Sequence, residues 1–134
     1  MFRSVGPVLI VSLVAVFPCG GNAAAQSLMS AQEIQARVIG NTITGAEDNE
    51  RYAEYISPDG RILGRTESGS YSGNWRIEGN ELCVSYGKKP WECTALRLTG
   101  NQLVWVDPDG GDVLTTLSKG NTEYLKFPAP PQKE

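Results

Sequence analysis

The sequence predicts an all-β fold, an eight-stranded antiparallel up-and-down barrel with a short N-terminal helix, and three observations carry that expectation. Short segments alternate apolar with polar residues between turn signals spaced about ten residues apart, the pattern of half-buried strands joined by tight hairpins. Hairpin chemistry repeats within the chain: Arg76-Ile77-Glu78-Gly79-Asn80-Glu81-Leu82 is echoed by Arg97-Leu98-Thr99-Gly100-Asn101-Gln102-Leu103, and Tyr55-Ile56-Ser57-Pro58-Asp59-Gly60 by Trp105-Val106-Asp107-Pro108-Asp109-Gly110. A meander of this kind leaves two unpaired edges unless it closes, and about eight strands close into a barrel whose interior is filled by side chains or holds one small ligand.

At the N-terminus, residues 1–25 read as a secretory signal peptide. Arg3 precedes a mostly apolar run from Val8 to Phe17, a Pro-Cys-Gly-Gly break follows, and Ala23-Ala24-Ala25 offers small residues for cleavage before Gln26. That run is too short to cross a bilayer, which takes about 20 residues. Cys19 follows Phe17-Pro18, where lipoprotein processing needs small residues. Export to the periplasm or beyond is therefore the expectation, with no membrane insertion after cleavage. Residues 26–121 then form a single barrel domain, and residues 122–134, ending in PAPPQKE, a Pro-rich disordered tail.

Ser30-Ala31-Gln32-Glu33 fits the S-x-x-E capping box. Ile34, Val38 and Ile39 share one face, and Gly40-Asn41 stops the helix. A helix this short needs a surface to lean on, and the end of a barrel supplies one. Strands are expected at Asn41 to Gly45, Arg51 to Ile56, Ile62 to Arg65, Tyr71 to Ile77, Glu81 to Tyr86, Trp91 to Leu98, Gln102 to Val106 and Val113 to Leu117. Pro58-Asp59-Gly60, Gly79-Asn80, Gly100-Asn101 and Pro108-Asp109-Gly110-Gly111 supply turns between them.

The stretch from Tyr71 to Leu103 organises the rest. Tyr71, Gly73, Trp75 and Ile77 alternate with Ser72, Asn74 and Arg76, which sets one buried face. The turn Gly87-Lys88-Lys89-Pro90 is centred on Lys88, so counting outward places Cys83 opposite Cys93, close enough for a disulfide. An even pair of cysteines in an oxidising compartment favours a structural bridge. A metal pair wants further Cys or His ligands, and a redox pair usually has C-x-x-C spacing.

The chain has no histidine, which removes His-based acid/base work, the usual nucleophilic triads and His-ligated metals. With 12 Lys and Arg against 15 Asp and Glu, it is a poor match for nucleic acid or an anionic membrane. Asp107, Asp109 and Asp112 share one loop that superficially resembles a calcium loop, but it lacks the distal bidentate Glu, and Pro-Asp-Gly-Gly is already a good turn. Glu50 and Glu54 could pair with Glu81 or Glu92 as an acid and base, set against their being a solvated strand face. Lys88, Lys89 and Trp91 mark a hairpin tip that is either a contact surface or simply solvated. Tyr71, Trp75 and Trp105 stand where a ligand pocket or a core would place aromatics, together with Tyr52 or Tyr55. The expectation is a non-catalytic binding protein with no cofactor and no metal, whose partner is a small apolar molecule or a secreted protein.

The aromatic strand leading into Pro58-Asp59-Gly60, then Tyr71-Ser72-Gly73-Asn74-Trp75 and Ile77-Glu78-Gly79-Asn80-Glu81-Leu82-Cys83 with Cys93 after a short loop, resembles small exported proteobacterial proteins with lipocalin-like barrels. That resemblance implies fold and compartment. Gln26-Ser27-Leu28-Met29-Ser30 and the hairpin from Leu103 to Leu117 are loosely similar to periplasmic bacterial metalloprotease inhibitors, small barrels with one disulfide. In those, a free N-terminal segment enters the protease. The similarity implies an alternative role in which Gln26 to Met29 stand clear of the barrel, although the cysteines here sit in a later hairpin.

Overall fold

The computed structural model describes residues 27–123 and 125–126. The expected signal peptide, Cys19, Gln26 and the terminal PAPPQKE lie outside them. Helix α1 spans Ala31–Arg37 and is followed by β1 (Thr42–Glu47), β2 (Glu50–Ile56), β3 (Arg61–Thr66), β4 (Gly69–Glu78), β5 (Glu81–Tyr86), β6 (Glu92–Thr99), β7 (Gln102–Val106) and β8 (Val113–Ser118). Every strand pairs antiparallel with its neighbour in sequence, and β8 returns to β1, so the sheet is a closed barrel.

Turn chemistry fixes the registers. Asp48 and Asn49 both adopt positive φ, 49° and 65°, which gives the two-residue β1–β2 loop the twist that antiparallel strands prefer. The two Gly-Asn turns carry Gly79 and Gly100 in the left-handed region and stand at the same end of the barrel. In the Pro-Asp-Gly turns, Gly60 N–H donates to the Ser57 carbonyl and Gly110 N–H to the Asp107 carbonyl, at 3.2 and 3.0 Å. This shared chemistry serves opposite ends, because one turn follows a descending strand and the other an ascending one. Cys83 lies directly opposite Cys93 in the β5–β6 ladder, and the two are joined by a disulfide.

Helix α1 closes the end that carries the Gly-Asn turns. Ser30 and Glu33 form the reciprocal capping box, each side chain holding the other residue's backbone N–H. Asn80 of the β4–β5 turn accepts from Ala31 N–H at 2.9 Å, and Met29 N–H donates to the Leu96 carbonyl at 2.7 Å. Ile34, Val38 and Ile39 are then driven into a cluster with Ile43, Ile56, Ile62, Leu82, Leu96 and Leu103. The hydrophobic stabilisation thus gathers in the helix-plugged half. Among the described residues no helix is long and apolar enough to cross a membrane.

Thr122 and Glu123, the first residues of the expected tail, are bonded to the barrel. The Thr42 hydroxyl donates to the Gly120 carbonyl at 2.6 Å and accepts from Thr122 N–H at 3.1 Å, while Glu123 pairs with Arg65 at 2.9 Å. Asn121 exchanges two hydrogen bonds with the backbone of Leu125.

Candidate functional site

The half of the barrel away from α1 contains a cavity of about 820 Å³ that opens between the hairpin tips. That size lies within the range of about 300–1,000 Å³ common for small-molecule sites. Its floor is built from three cross-strand pairs of glycine and tyrosine: Gly45 opposite Tyr52, Gly64 opposite Tyr71 and Gly73 opposite Tyr86. In each pair the tyrosine ring lies over its glycine. A Cβ would stand 2.6 Å from the Tyr52 hydroxyl oxygen at Gly45, 2.1 Å from Tyr71 Cζ at Gly64 and 2.8 Å from Tyr86 Cδ1 at Gly73. Glycine is needed here for close approach, because only its missing side chain lets the ring lie flat across the wall.

Two of these rings converge on Glu54. The hydroxyls of Tyr71 and Tyr86 each donate to Glu54 Oε1 at 2.7 Å, and the rings meet edge to face with centroids 5.8 Å apart. Glu54 is only 7% exposed, so it belongs to the interior and not to the solvated strand face expected from sequence. The register explains why. Glu54 sits opposite Ile43 on β1 and Gly64 on β3, both on the inward face, and shares parity along β2 with Tyr52 and Ile56.

Burial pushes the Glu54 carboxyl above the usual glutamate range, more strongly than the two tyrosine hydrogen bonds pull it down. Burial and the nearby Glu54 charge push Tyr52 up to about 12 and raise Tyr71 and Tyr86 further, so all three stay neutral hydrogen-bond donors. Among the described residues Glu54 Oε2 accepts no hydrogen bond. Among the described residues the one sealed side-chain polar atom left without a partner is Arg97 Nε. Glu54 itself lines the cavity.

Tyr71 and Trp105 both line this cavity, from opposite sides of the barrel. Trp105 is held by its indole N–H, which donates to Thr115 Oγ1 at 3.2 Å, while the Thr115 hydroxyl donates to the Leu103 carbonyl. Trp75 is elsewhere: it packs on the apolar cluster in the plugged half, and its indole N–H donates to the Ser57 carbonyl at 2.7 Å. Of the carboxylates considered for acid/base work, Glu50, Glu54 and Glu92 reach the cavity, whereas Glu81 is exposed beside the Gly79-Asn80 turn. Glu50 is occupied by the backbone N–H and hydroxyl of Ser68, which hold its carboxyl low. In the Asp107–Asp112 loop, Asp107 accepts from Asp109 N–H and Asp112 from Asp107 N–H, so two of its three carboxylates build the turn.

On the outer wall, Glu78 Oε2 approaches both Cys83 and Cys93 sulfurs, at 3.4 and 3.2 Å. Bridged sulfurs have no proton to donate and no thiolate to offer a metal, so this is a packing contact. Trp91, 38% exposed, lies under the Arg76 guanidinium at 4.2 Å from its ring centroid. At the other end, Met29, which only the inhibitor-like alternative has standing clear of the barrel, is 3% exposed, while Leu28 is half exposed.

Sequence reasoning placed Tyr71 and Trp105 on strands but missed that Glu54 joins them. The available signal was the alternation Tyr52-Glu54-Ile56, which puts Glu54 on the face of an obvious core isoleucine, combined with glycines at the inward positions of the two neighbouring strands. Comparison with protein-family models, curated proteins and solved structures finds no match to this chain.

Proposed function

We propose that this is an exported, non-catalytic binding protein that takes one small molecule into the open half of its barrel. The observation that carries the reading is Glu54, a buried carboxylate that lines an 820 Å³ cavity with one oxygen fixed by two tyrosine hydroxyls. A polar group held rigidly at the floor of a partly apolar cavity is how binding sites orient a ligand. The plugged half supplies stability separately, which leaves the open half free to stay unfilled. Export is supported by the leading sequence and by the Cys83–Cys93 bridge, which belongs in an oxidising compartment. Binding without turnover is supported by the neighbours of Glu54, neutral tyrosines that hold the carboxylate in place, and by the lack of histidine in the chain.

The test is a titration of the purified protein with small aromatic and aliphatic compounds, read by tryptophan emission. Binding in the cavity changes the Trp105 signal, and the response disappears in Trp105→Phe. The inhibitor-like alternative predicts instead that removing Ser27 and Leu28 abolishes inhibition of a secreted metalloprotease, a change that leaves cavity binding untouched. No saturable response to any compound would sink the cavity reading.

A further inference from the structure

We infer that the ligand is a cationic amine carrying an apolar or aromatic body, with its ammonium paired to Glu54 and its body against Tyr52, Tyr71, Tyr86 and Trp105. This rests on the binding reading above and narrows it to one chemical class.

The first support is the charge of the cavity. Six carboxylates line it, those of Glu47, Asp48, Glu50, Glu54, Glu92 and Asp107, against the single ammonium of Lys89 near a hairpin tip. A low-dielectric cleft lined by one sign of charge focuses the field, raising the local concentration of cations and excluding anions. That balance alone describes only an acidic rim, so the second support is independent of it. Glu54 is buried and lines the cavity, its Oε1 is saturated by Tyr71 and Tyr86, and its Oε2 has no hydrogen-bond partner among the described residues. An ionised buried carboxylate is costly unless a countercharge is brought to it. Among the described lining residues the floor contains no Arg or Lys, so a bound ammonium would supply what is missing.

The tyrosines decide against a neutral or anionic ligand at the same spot. The Tyr71 and Tyr86 hydroxyls, which could otherwise donate to a ligand carbonyl or carboxylate, are already turned onto Glu54. What the rings still offer is their faces and edges, and aromatic faces attract cations, more strongly when water is excluded. Trp105 on the opposite wall adds the ring type best suited to this. The aliphatic side chains of Val84 and Val113 then receive the apolar body.

Proton linkage gives this assignment a signature that simple hydrophobic binding lacks. The ionisable groups around Glu54 are Glu47 on β1, Tyr52 on β2, Tyr71 on β4, Tyr86 on β5 and Glu92 across the cavity on β6. The tyrosines stay neutral, leaving Glu54 as the group whose protonation the ligand reads. An alkylammonium, with a pKa of about 10 like lysine, stays charged below pH 9. Its affinity should therefore climb as pH rises through the titration of Glu54 and level off above it. A ligand that needed the protonated acid as a donor would weaken over the same interval.

The experiment uses three probes with one common body, 4-phenylbutylamine, 4-phenylbutanol and 4-phenylbutanoate, titrated at pH 5.5 and 8 into the wild-type protein and Glu54→Gln, with tryptophan emission as readout. The amine is expected to bind wild type at least about tenfold more tightly than the alcohol at pH 8, with that advantage shrinking at pH 5.5. The butanoate should bind weakest. Glu54→Gln should remove the amine's advantage over the alcohol and its pH dependence. Equal or tighter binding of the alcohol or the butanoate to wild type overturns the amine assignment and leaves the cavity reading standing. A preference that survives Glu54→Gln overturns the role of Glu54. No response to any of the three overturns both readings. The wild-type comparison decides the ligand class even if the variant fails to fold.

Discussion

Gly64 lies directly beneath the ring of Tyr71, so close that a Cβ on the glycine would stand 2.1 Å from Tyr71 Cζ. The backbone of Gly64 does not require glycine, since its φ lies outside the left-handed region. The ring is the obstacle. Gly64→Ala should therefore cost about 1 to 3 kcal/mol, as overpacking of a filled site does, and should pull the Tyr71 hydroxyl from Glu54. In a Tyr71→Ala background the same substitution should cost far less, and urea unfolding of the four proteins gives that coupling directly. Equal costs in both backgrounds would show that the contact is not what selects glycine.

Trp75 and Trp91 should differ in what their truncation costs. Trp75 is packed on the apolar cluster with its indole N–H bonded to Ser57, so Trp75→Ala should lose about 3 kcal/mol. Trp91 is a cap on the outer wall under Arg76, and Trp91→Ala should lose about 1 kcal/mol or less. Coincident unfolding midpoints would contradict the assignment of the two faces of the barrel.

The Cys83–Cys93 bridge closes a short loop within one hairpin. On the chain-entropy model, replacing both cysteines by serine should lower stability by about 2 to 3 kcal/mol. Peptide mapping without reductant should recover the two residues linked. The barrel should still fold, because the β5–β6 register is also fixed by Glu81 opposite Ala95 and Leu82 opposite Thr94. Loss of all cooperative unfolding in the double variant would mean the bridge dictates the fold.

Glu54 should make the protein less stable as pH rises. Its folded-state pKa is raised by burial, so between the unfolded and folded values the native state binds more protons than the unfolded chain, and stability falls with increasing pH. The contribution is complete below the unfolded pKa and is lost as pH climbs through the folded one. Asp59 behaves oppositely, held down to about 2 by Arg61, and its stabilisation disappears only as pH falls through that acid range. The two effects occupy separate windows. Unfolding midpoints at pH 5 and pH 8 should thus fall in wild type and stay flat in Glu54→Gln; parallel behaviour of the two would refute a raised Glu54 pKa.

Most of the architecture was legible because turns are local chemistry. Gly-Asn and Pro-Asp-Gly identify themselves within a few residues, and a strand must lie between each pair. Boundaries were less so: β4 starts at Gly69 and not Tyr71 because Gly69 and Ser70 are held by pairing with Thr66 and Arg65, a contact that local composition does not announce. The helix was readable from its capping box, and the Cys83–Cys93 pairing from counting around Lys88. Glu54 was hidden for a different reason. A glutamate on a strand is ordinarily solvated, and its burial depends on glycines on two other strands that make room for tyrosine rings. Such a site is a property of registers among four strands, and no single segment contains it.

The seam between β1 and β8 joins parts of the chain that every other strand pair keeps close. It has three residue pairs, against six for β1 with β2, and its latch connects Thr42 to Gly120, 78 residues away. Hairpins can form in microseconds as each turn is completed, whereas contacts this remote must wait for the intervening chain to order. A polypeptide that emerges N-terminus first therefore carries β1 with one side unclaimed until residue 118 arrives. The order of synthesis makes the last strand, together with the few residues beyond it, the step that commits the molecule to its ring.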